Sequence, residues 1–189
     1  MGISLQKGQR ISLSKDNAGL SKIMAGLGWD PVKSSGSQID CDASVLMLNA
    51  EEKLERKENI IYFGNLSSKC GSVVHSGDNL TGQGEGDDEQ IMIDLPAVPE
   101  NIQKLVFVVN IYKCVQREQH FGMIANAFIR IVNVSDNTEM ARFALTEDYS
   151  GWTSLIVGEI YRHNNEWKFA AIGQGTKDAS LEEIVRNYK

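Results

Sequence analysis

From Gly77 to Glu89 the chain reads Gly-Asp-Asn-Leu-Thr-Gly-Gln-Gly-Glu-Gly-Asp-Asp-Glu, four glycines and five carboxylates in thirteen residues. Taken alone, such a stretch looks like a flexible solvated tether. Its carboxylates repel one another, and a hard divalent cation relieves that repulsion by taking six to eight oxygen ligands from carboxylates and backbone carbonyls. Glycines at 82, 84 and 86 let the backbone curl and turn carbonyls inward without a Cβ in the way. Calcium, with its flexible shell, suits this chemistry better than magnesium, and the absence of interleaved His or Cys disfavours zinc and copper. The spacing is not that of an EF-hand. Leu80 and Gly82 stand where its third and fifth ligands belong, Gln83 stands at its fixed glycine, and Ile91-Met92-Ile93 continues as a strand rather than a helix.

A second acidic group lies upstream. Asp40-Cys41-Asp42 opens an apolar strand, where alternation places the two carboxylates on one face and Cys41 on the other. Either they form a solvated strand edge or they join the loop around an ion. Asp30 follows Gly26-Leu27-Gly28-Trp29 and precedes Pro31, which is also an ordinary turn setting. Asp30, Asp40, Asp42, Asp78, Glu85, Asp87, Asp88 and Glu89 are enough carboxylates for two ions.

The elements that position these residues are strands. Short runs rich in Ile, Val, Leu and Phe, separated by Gly, Asn, Asp and Ser, predict strands near 10–14, 22–29, 39–49, 59–63, 72–75, 90–95, 104–112, 127–133, 139–145, 153–163 and 166–173. Val134 to Thr138 and Asn164-Asn165 read as hairpin turns, since Asn tolerates positive φ. A helix closes the chain, with Asp178 or Ser180 as its cap and Leu181, Ile184, Val185 and Tyr188 on one face. The fold expected is all-β, a two-sheet β-sandwich with a short C-terminal helix, in one domain spanning 1–189 (core about 2–175, helix about 179–188).

Composition narrows the function classes. With 42% hydrophobic and 23% charged residues the chain can build a core, which argues against wholesale disorder. The net charge is −6, and no Lys or Arg falls between Lys69 and Lys104. That balance disfavours nucleic acid, whose phosphates need clustered basic residues. The longest apolar run, Leu105 to Val109, is too short for a membrane span, and no secretory leader is evident at the N-terminus. We therefore expect a cytoplasmic protein. Cys41, Cys70 and Cys114 suggest neither a disulfide framework nor a zinc knuckle.

The catalytic signals are weak. His75 is near enough to the acidic loop to reach its rim, but there is no nucleophile elbow and no Walker loop. The carboxylates interleaved with Gly82, Gly84 and Gly86 would repel a pyrophosphate. Arg130, Arg142 and Arg162 alternate with apolar residues, the pattern of a solvated or salt-bridged sheet face.

Taken in order, Ser4-Leu5-Gln6-Lys7-Gly8, Gly26-Leu27-Gly28-Trp29-Asp30, Asp40-Cys41-Asp42-Ala43-Ser44, the loop from Gly77 to Glu89, Phe128-Ile129-Arg130 and Gly158-Glu159-Ile160-Tyr161 carry a likeness. The sequence resembles the TerD family of tellurite-resistance and general stress proteins from Gly2 to about Gly175. The resemblance implies a β-sandwich binding Ca2+, two ions, with ligands from the three acidic segments. The set it implies is Asp30, Asp40, Asp42, Asp78, Asn79, Thr81, Gly82, Glu85, Asp87, Asp88 and Glu89. It also implies a non-enzymatic role in tellurite and stress resistance and association with other proteins of that system. A calcium-dependent module for an anionic small ligand, such as a cyclic nucleotide, is the alternative, and a calcium-dependent hydrolase a weaker one.

Overall fold

The computed structural model describes residues 2–15, 17–31, 39–77 and 86–189. Among the described residues, twelve strands lie in two six-stranded sheets. They are β1 (Ile3–Leu5), β2 (Arg10–Ser12), β3 (Lys22–Pro31), β4 (Cys41–Leu48), β5 (Ile60–Ile61), β6 (Val73–His75), β7 (Glu89–Asp94), β8 (Lys104–Ile111), β9 (Ile124–Asn133), β10 (Thr138–Ala144), β11 (Ser154–His163) and β12 (Glu166–Thr176). The first sheet runs β1-β10-β9-β3-β7-β6 and the second β2-β12-β11-β8-β4-β5. Among the described strands, only β1, beside β10, pairs in parallel.

Alternation explains the packing. On β3 the residues Ile23, Ala25 and Leu27 enter the core between the sheets, as do Ile91 and Ile93 on β7 and Ile129 and Ile131 on β9. The second sheet contributes Cys41, Ala43, Val45 and Met47 from β4 and Leu105, Phe107 and Val109 from β8. Leu46, Leu48, Val106 and Val108 point the other way, into a second apolar cluster with Ile184 and Val185. Those two residues belong to the closing helix α2 (Leu181–Arg186), which covers an outer face that water would otherwise meet; α1 (Cys114–Arg117) is a single turn. Ser180 caps α2 by accepting the Glu183 N–H at 3.3 Å, so the sequence's choice between Asp178 and Ser180 falls on Ser180.

The two-sheet sandwich with its C-terminal helix is as the sequence predicts, and so are the hairpins. Asn137, Asn164 and Asn165 all have positive φ, and they close β9–β10 and β11–β12, both antiparallel. Strand β1 was not anticipated. No helix among the described residues is long and apolar enough to cross a membrane. All three cysteines are free.

Candidate metal centre

Strand β3 ends where β4 and β7 begin, so Asp30, Asp40, Asp42, Asp87, Asp88 and Glu89 gather at one end of the sandwich. Asp78, Asn79, Thr81, Gly82 and Glu85 lie outside the described residues. Electrostatics registers the crowding. Burial pushes the Cys41 thiol well above its ordinary range, and Asp42, Asp40, Glu89 and Asp88 push it further in the same direction. The Asp88 carboxyl is also raised, by burial first, with Asp30, Glu89 and Asp87 adding to it against the lowering effect of a Trp29 hydrogen bond.

The six carboxylates nonetheless occupy different settings. Glu89 is 1% exposed and directed between the sheets. Its Oε2 accepts the Ala43 N–H of β4 at 2.7 Å and sits 3.3 Å from His75 Nε2. His75 accepts the Gly77 N–H on Nδ1 at 3.0 Å, which assigns its hydrogen to Nε2, 3.1 Å from the Ala43 carbonyl. Strand β5 pairs with β4 only at Val45 and Leu46. Beyond it, Glu89 and His75 supply the acceptor and donor that the exposed edge of Ala43 needs. His75 is thus an inward strut between the sheets rather than a group on the loop rim. The second Glu89 oxygen, Oε1, is buried and has no hydrogen-bond partner among the described residues.

Asp88 fixes the start of the β3–β7 ladder. Its Oδ2 accepts the Trp29 N–H at 2.7 Å, and its own N–H donates to the Leu27 carbonyl at 2.8 Å. Asp30 is exposed and accepts an Asn126 amide hydrogen at 2.9 Å. That contact follows from an irregularity in pairing, since two steps on β3 from Gly28 to Asp30 oppose three on β9 from Phe128 to Ala125. Asn126, at φ 54°, absorbs the extra residue.

Asp87 lies on the outer face of the first sheet. Arg130 donates to its two oxygens, from Nε at 2.7 Å and from Nη2 at 2.9 Å, and the Asp87 side chain is fully buried. The structure therefore neutralises Asp87 with a guanidinium, where the sequence reading assigned it to an ion. Asp42 faces outward from β4 beside Ser44, 6% exposed, so it is neither a solvated edge nor aimed between the sheets. Asp40 precedes the strand, half-buried, and its carbonyl accepts the Tyr112 N–H at 2.8 Å. Among the described residues, no three of His, Cys, Asp and Glu come close enough together to hold an ion by themselves.

Residues 1–188 match the TerD domain. The chain belongs to the TerD family. Similar TerD-family proteins include the Bacillus subtilis stress response protein SCP2, 61% identical over the full length of both chains. The tellurium resistance protein TerD of Serratia marcescens is 47% identical, over 93% of this chain and 91% of its own. In fold, the chain is similar to a Streptomyces coelicolor homologue of the telluride resistance protein TerD, with a TM-score of 0.67 over 87% of this chain and 98% of that one at 19% identity.

The sequence reading did not anticipate the contacts that three residues make at this end of the sandwich. Arg130 was read as part of the family likeness and as one of an alternating basic series, not as a partner of Asp87. His75 and Asn126 act through positions set by strand pairing, and only the Asn126 contact had a local signal, an Asn able to take positive φ.

Proposed function

We propose that this TerD-family chain is a non-enzymatic calcium-binding stress-response protein, acting in tellurite and general stress resistance. Calcium orders its acidic rim for interaction with a partner or ligand. The observation that carries the reading is Glu89 Oε1, a buried carboxylate oxygen without a hydrogen-bond partner among the described residues. Leaving such an acceptor unsatisfied costs about 1–3 kcal/mol, and more for a charged group, so the site calls for a donor or a cation.

The donors fit a hard divalent ion, because all of them are oxygens. Glu89, Asp88, Asp40 and Asp30 would face it from the framework. Asp78, Asn79, Thr81, Gly82 and Glu85 would complete the shell for one or two ions. Asp87 would serve from outside the shell by holding the loop to Arg130. The ion, when bound, supplies positive charge that lets these carboxylates share one end of the sandwich. Stress proteins of the same resistance system are the expected partners, and the cytoplasm the expected location.

Titration calorimetry with calcium, alongside melting curves in calcium and in chelator, tests the reading. Saturable binding with a rise in melting temperature supports it, and no shift at millimolar calcium overturns it.

One feature favours the small-ligand alternative as a second reading. A cavity of about 780 Å³ opens beside Asp30 and Gly86, with Arg142 and Phe128 in its wall. An anionic ligand there would lie between Arg142 and a rim-bound ion. Nucleotide binding that chelator abolishes would support that reading over the first.

A further inference from the structure

The outer face of the second sheet carries a row of polar side chains just beyond the apolar patch that α2 covers. The register puts Asp42 of β4 opposite Asn110 of β8, Asn110 opposite Ser154 of β11, and Ser154 opposite Thr176 of β12. The far half of the row is closed within the protein. Ser154 Oγ donates to the Asp178 carbonyl and Thr176 Oγ1 to the Asp178 carboxylate, each at 2.8 Å.

The near half is not closed. Ser44, next after Asp42 on this face of β4, is 1% exposed, and Asn110 is 6% exposed. Neither Ser44 Oγ nor Asn110 Oδ1 has a hydrogen-bond partner among the described residues. Buried polar atoms ordinarily find one, as Ser154 does on the same face. Ser44 pairs with Val108 and Asn110 with Asp42, so the two are diagonal neighbours, with α-carbons about 7–8 Å apart. At that spacing they do not bond each other, yet both reach toward a group placed between them. Both line a cavity of about 360 Å³, whose wall includes Tyr62, Phe63 and Leu181.

The charges around this cavity are already engaged. Lys113 and Arg117 lie over the Tyr112 ring, 5.1 and 5.5 Å from its centre. Glu182 accepts from Arg186 at 2.9 Å, and Asp42 has interactions of its own. What the floor still offers is uncharged: an amide oxygen that needs a donor, and a hydroxyl that donates as well as accepts.

We propose that this cavity binds a small neutral aromatic carboxamide. The ligand's NH2 group donates to Asn110 Oδ1 and its carbonyl accepts from Ser44 Oγ, so one planar group meets both buried atoms. Its ring lies against Tyr62, Phe63 and Leu181. A cation of the same shape finds the nearby carboxylates engaged, and a carboxylate sets a second acceptor against Asn110 Oδ1. The site is separate from the calcium reading, because neither Ser44 nor Asn110 is assigned to the ion. Its test is run in chelator, so that failure of one reading leaves the other standing.

The probe is benzamide, titrated into the full-length protein and followed by amide NMR and calorimetry. Benzoate and benzamidine serve as its anionic and cationic analogues. We expect saturable binding at about 1 mM or tighter, with both analogues weaker by about tenfold or more. The largest shifts should fall at Ser44 and Asn110. Ser44→Ala and Asn110→Leu should each weaken benzamide about three- to tenfold, the scale of one hydrogen bond. Ser44→Ala should also melt no lower than the parent, because it removes a buried hydroxyl that has no partner in the free protein. A fall in its melting temperature would mean that the hydroxyl is paired internally, against the proposal. Phe63→Ala alters only the exposed wall and should weaken binding with the floor intact. The proposal is overturned if benzamide produces no saturable shift, if the shifts gather at Trp29 and Phe128 around the other cavity, if either analogue binds as well, or if the folded variants bind like the parent.

Discussion

Arg130 holds Asp87 through paired hydrogen bonds of 2.7 and 2.9 Å across the bare α-carbon of Gly26. The arrangement follows from the register. Gly26 on β3 pairs directly with Arg130 on β9, so the guanidinium lies beside a residue with no side chain. The turn into β7 then lays Asp87 over that gap, where a Cβ on Gly26 would collide with the carboxylate. Gly28 plays the same part for the preceding residue, since a Cβ there would stand 2.7 Å from the Gly86 carbonyl and 2.5 Å from the Phe128 ring. Glycine at 26 and 28 thus lets the last residues of the acidic loop rest on the sheet.

Removing one partner of this pair should destabilise the protein more than removing both. Arg130→Met leaves a buried Asp87 carboxylate uncompensated, and we expect a loss of about 2–4 kcal/mol, below the range for a fully buried pair because Arg130 is 27% exposed. Asp87→Asn should cost less, since an amide needs no counter-charge. In the double mutant the costs should fall well short of their sum. Urea denaturation of the four proteins measures the coupling, and simple additivity would mean that the pair contributes nothing.

Gly26→Ala should lower stability by about 1–3 kcal/mol, the cost of forcing an extra methyl into a packed site. The same substitution in an Asp87→Ala background should cost much less, because the atoms it strikes are gone. Melting temperatures of the single and double variants decide the matter. Equal penalties in both backgrounds would place the strain elsewhere.

The strand frame was legible because core residues alternate and Asn and Gly mark the turns. That Cys41 and Asp42 lie on opposite faces of β4 followed from that alternation. Strand β1 was missed because three residues at a sheet edge, Ile3 to Leu5, carry almost no periodic signal, and the four-residue turn α1 carries none. The division of the carboxylates was not legible at all. That Asp87 finds Arg130 depends on β9 lying beside β3, a pairing of strands far apart in sequence. That Glu89 and His75 complete the Ala43 edge depends on where β5 stops. The pairing of Asp42 with Asn110 needed the β4–β8 register, which no local pattern sets.

Alkaline pH should expose a second sensitive point. Tyr149 donates its hydroxyl to the Gly173 carbonyl at 3.2 Å, and burial, with help from Glu147, pushes its pKa up to about 12. The unfolded phenol ionises near 10, so the folded state holds the proton more tightly between those values. The stability Tyr149 confers is complete below pH 10 and is lost as the pH rises toward about 12. Tyr149→Phe should lose about 1 kcal/mol at neutral pH, the worth of one hydrogen bond, and show a shallower fall above pH 10. Parallel curves for the two proteins through the alkaline range would show that another group controls it.

The calcium reading meets its hardest test at Glu89, because Glu89→Gln keeps the shape and removes the charge. The glutamine amide oxygen can still accept the Ala43 N–H, and its NH2 group can turn toward the position of Oε1. In chelator, therefore, the variant should melt within a few degrees of the parent or above it, relieved of a buried charge among other acids. In calcium the two should diverge. Ligand at a hundred times its dissociation constant stabilises the parent by about 2.7 kcal/mol. For a chain of this size that is a rise of roughly 5–10 °C. Glu89→Gln should lose most of that rise while keeping its chelator baseline. Differential scanning fluorimetry across a calcium series measures both quantities in one experiment. An unchanged calcium response in the variant would remove Glu89, and with it the buried oxygen on which the site was built, from the binding of the ion.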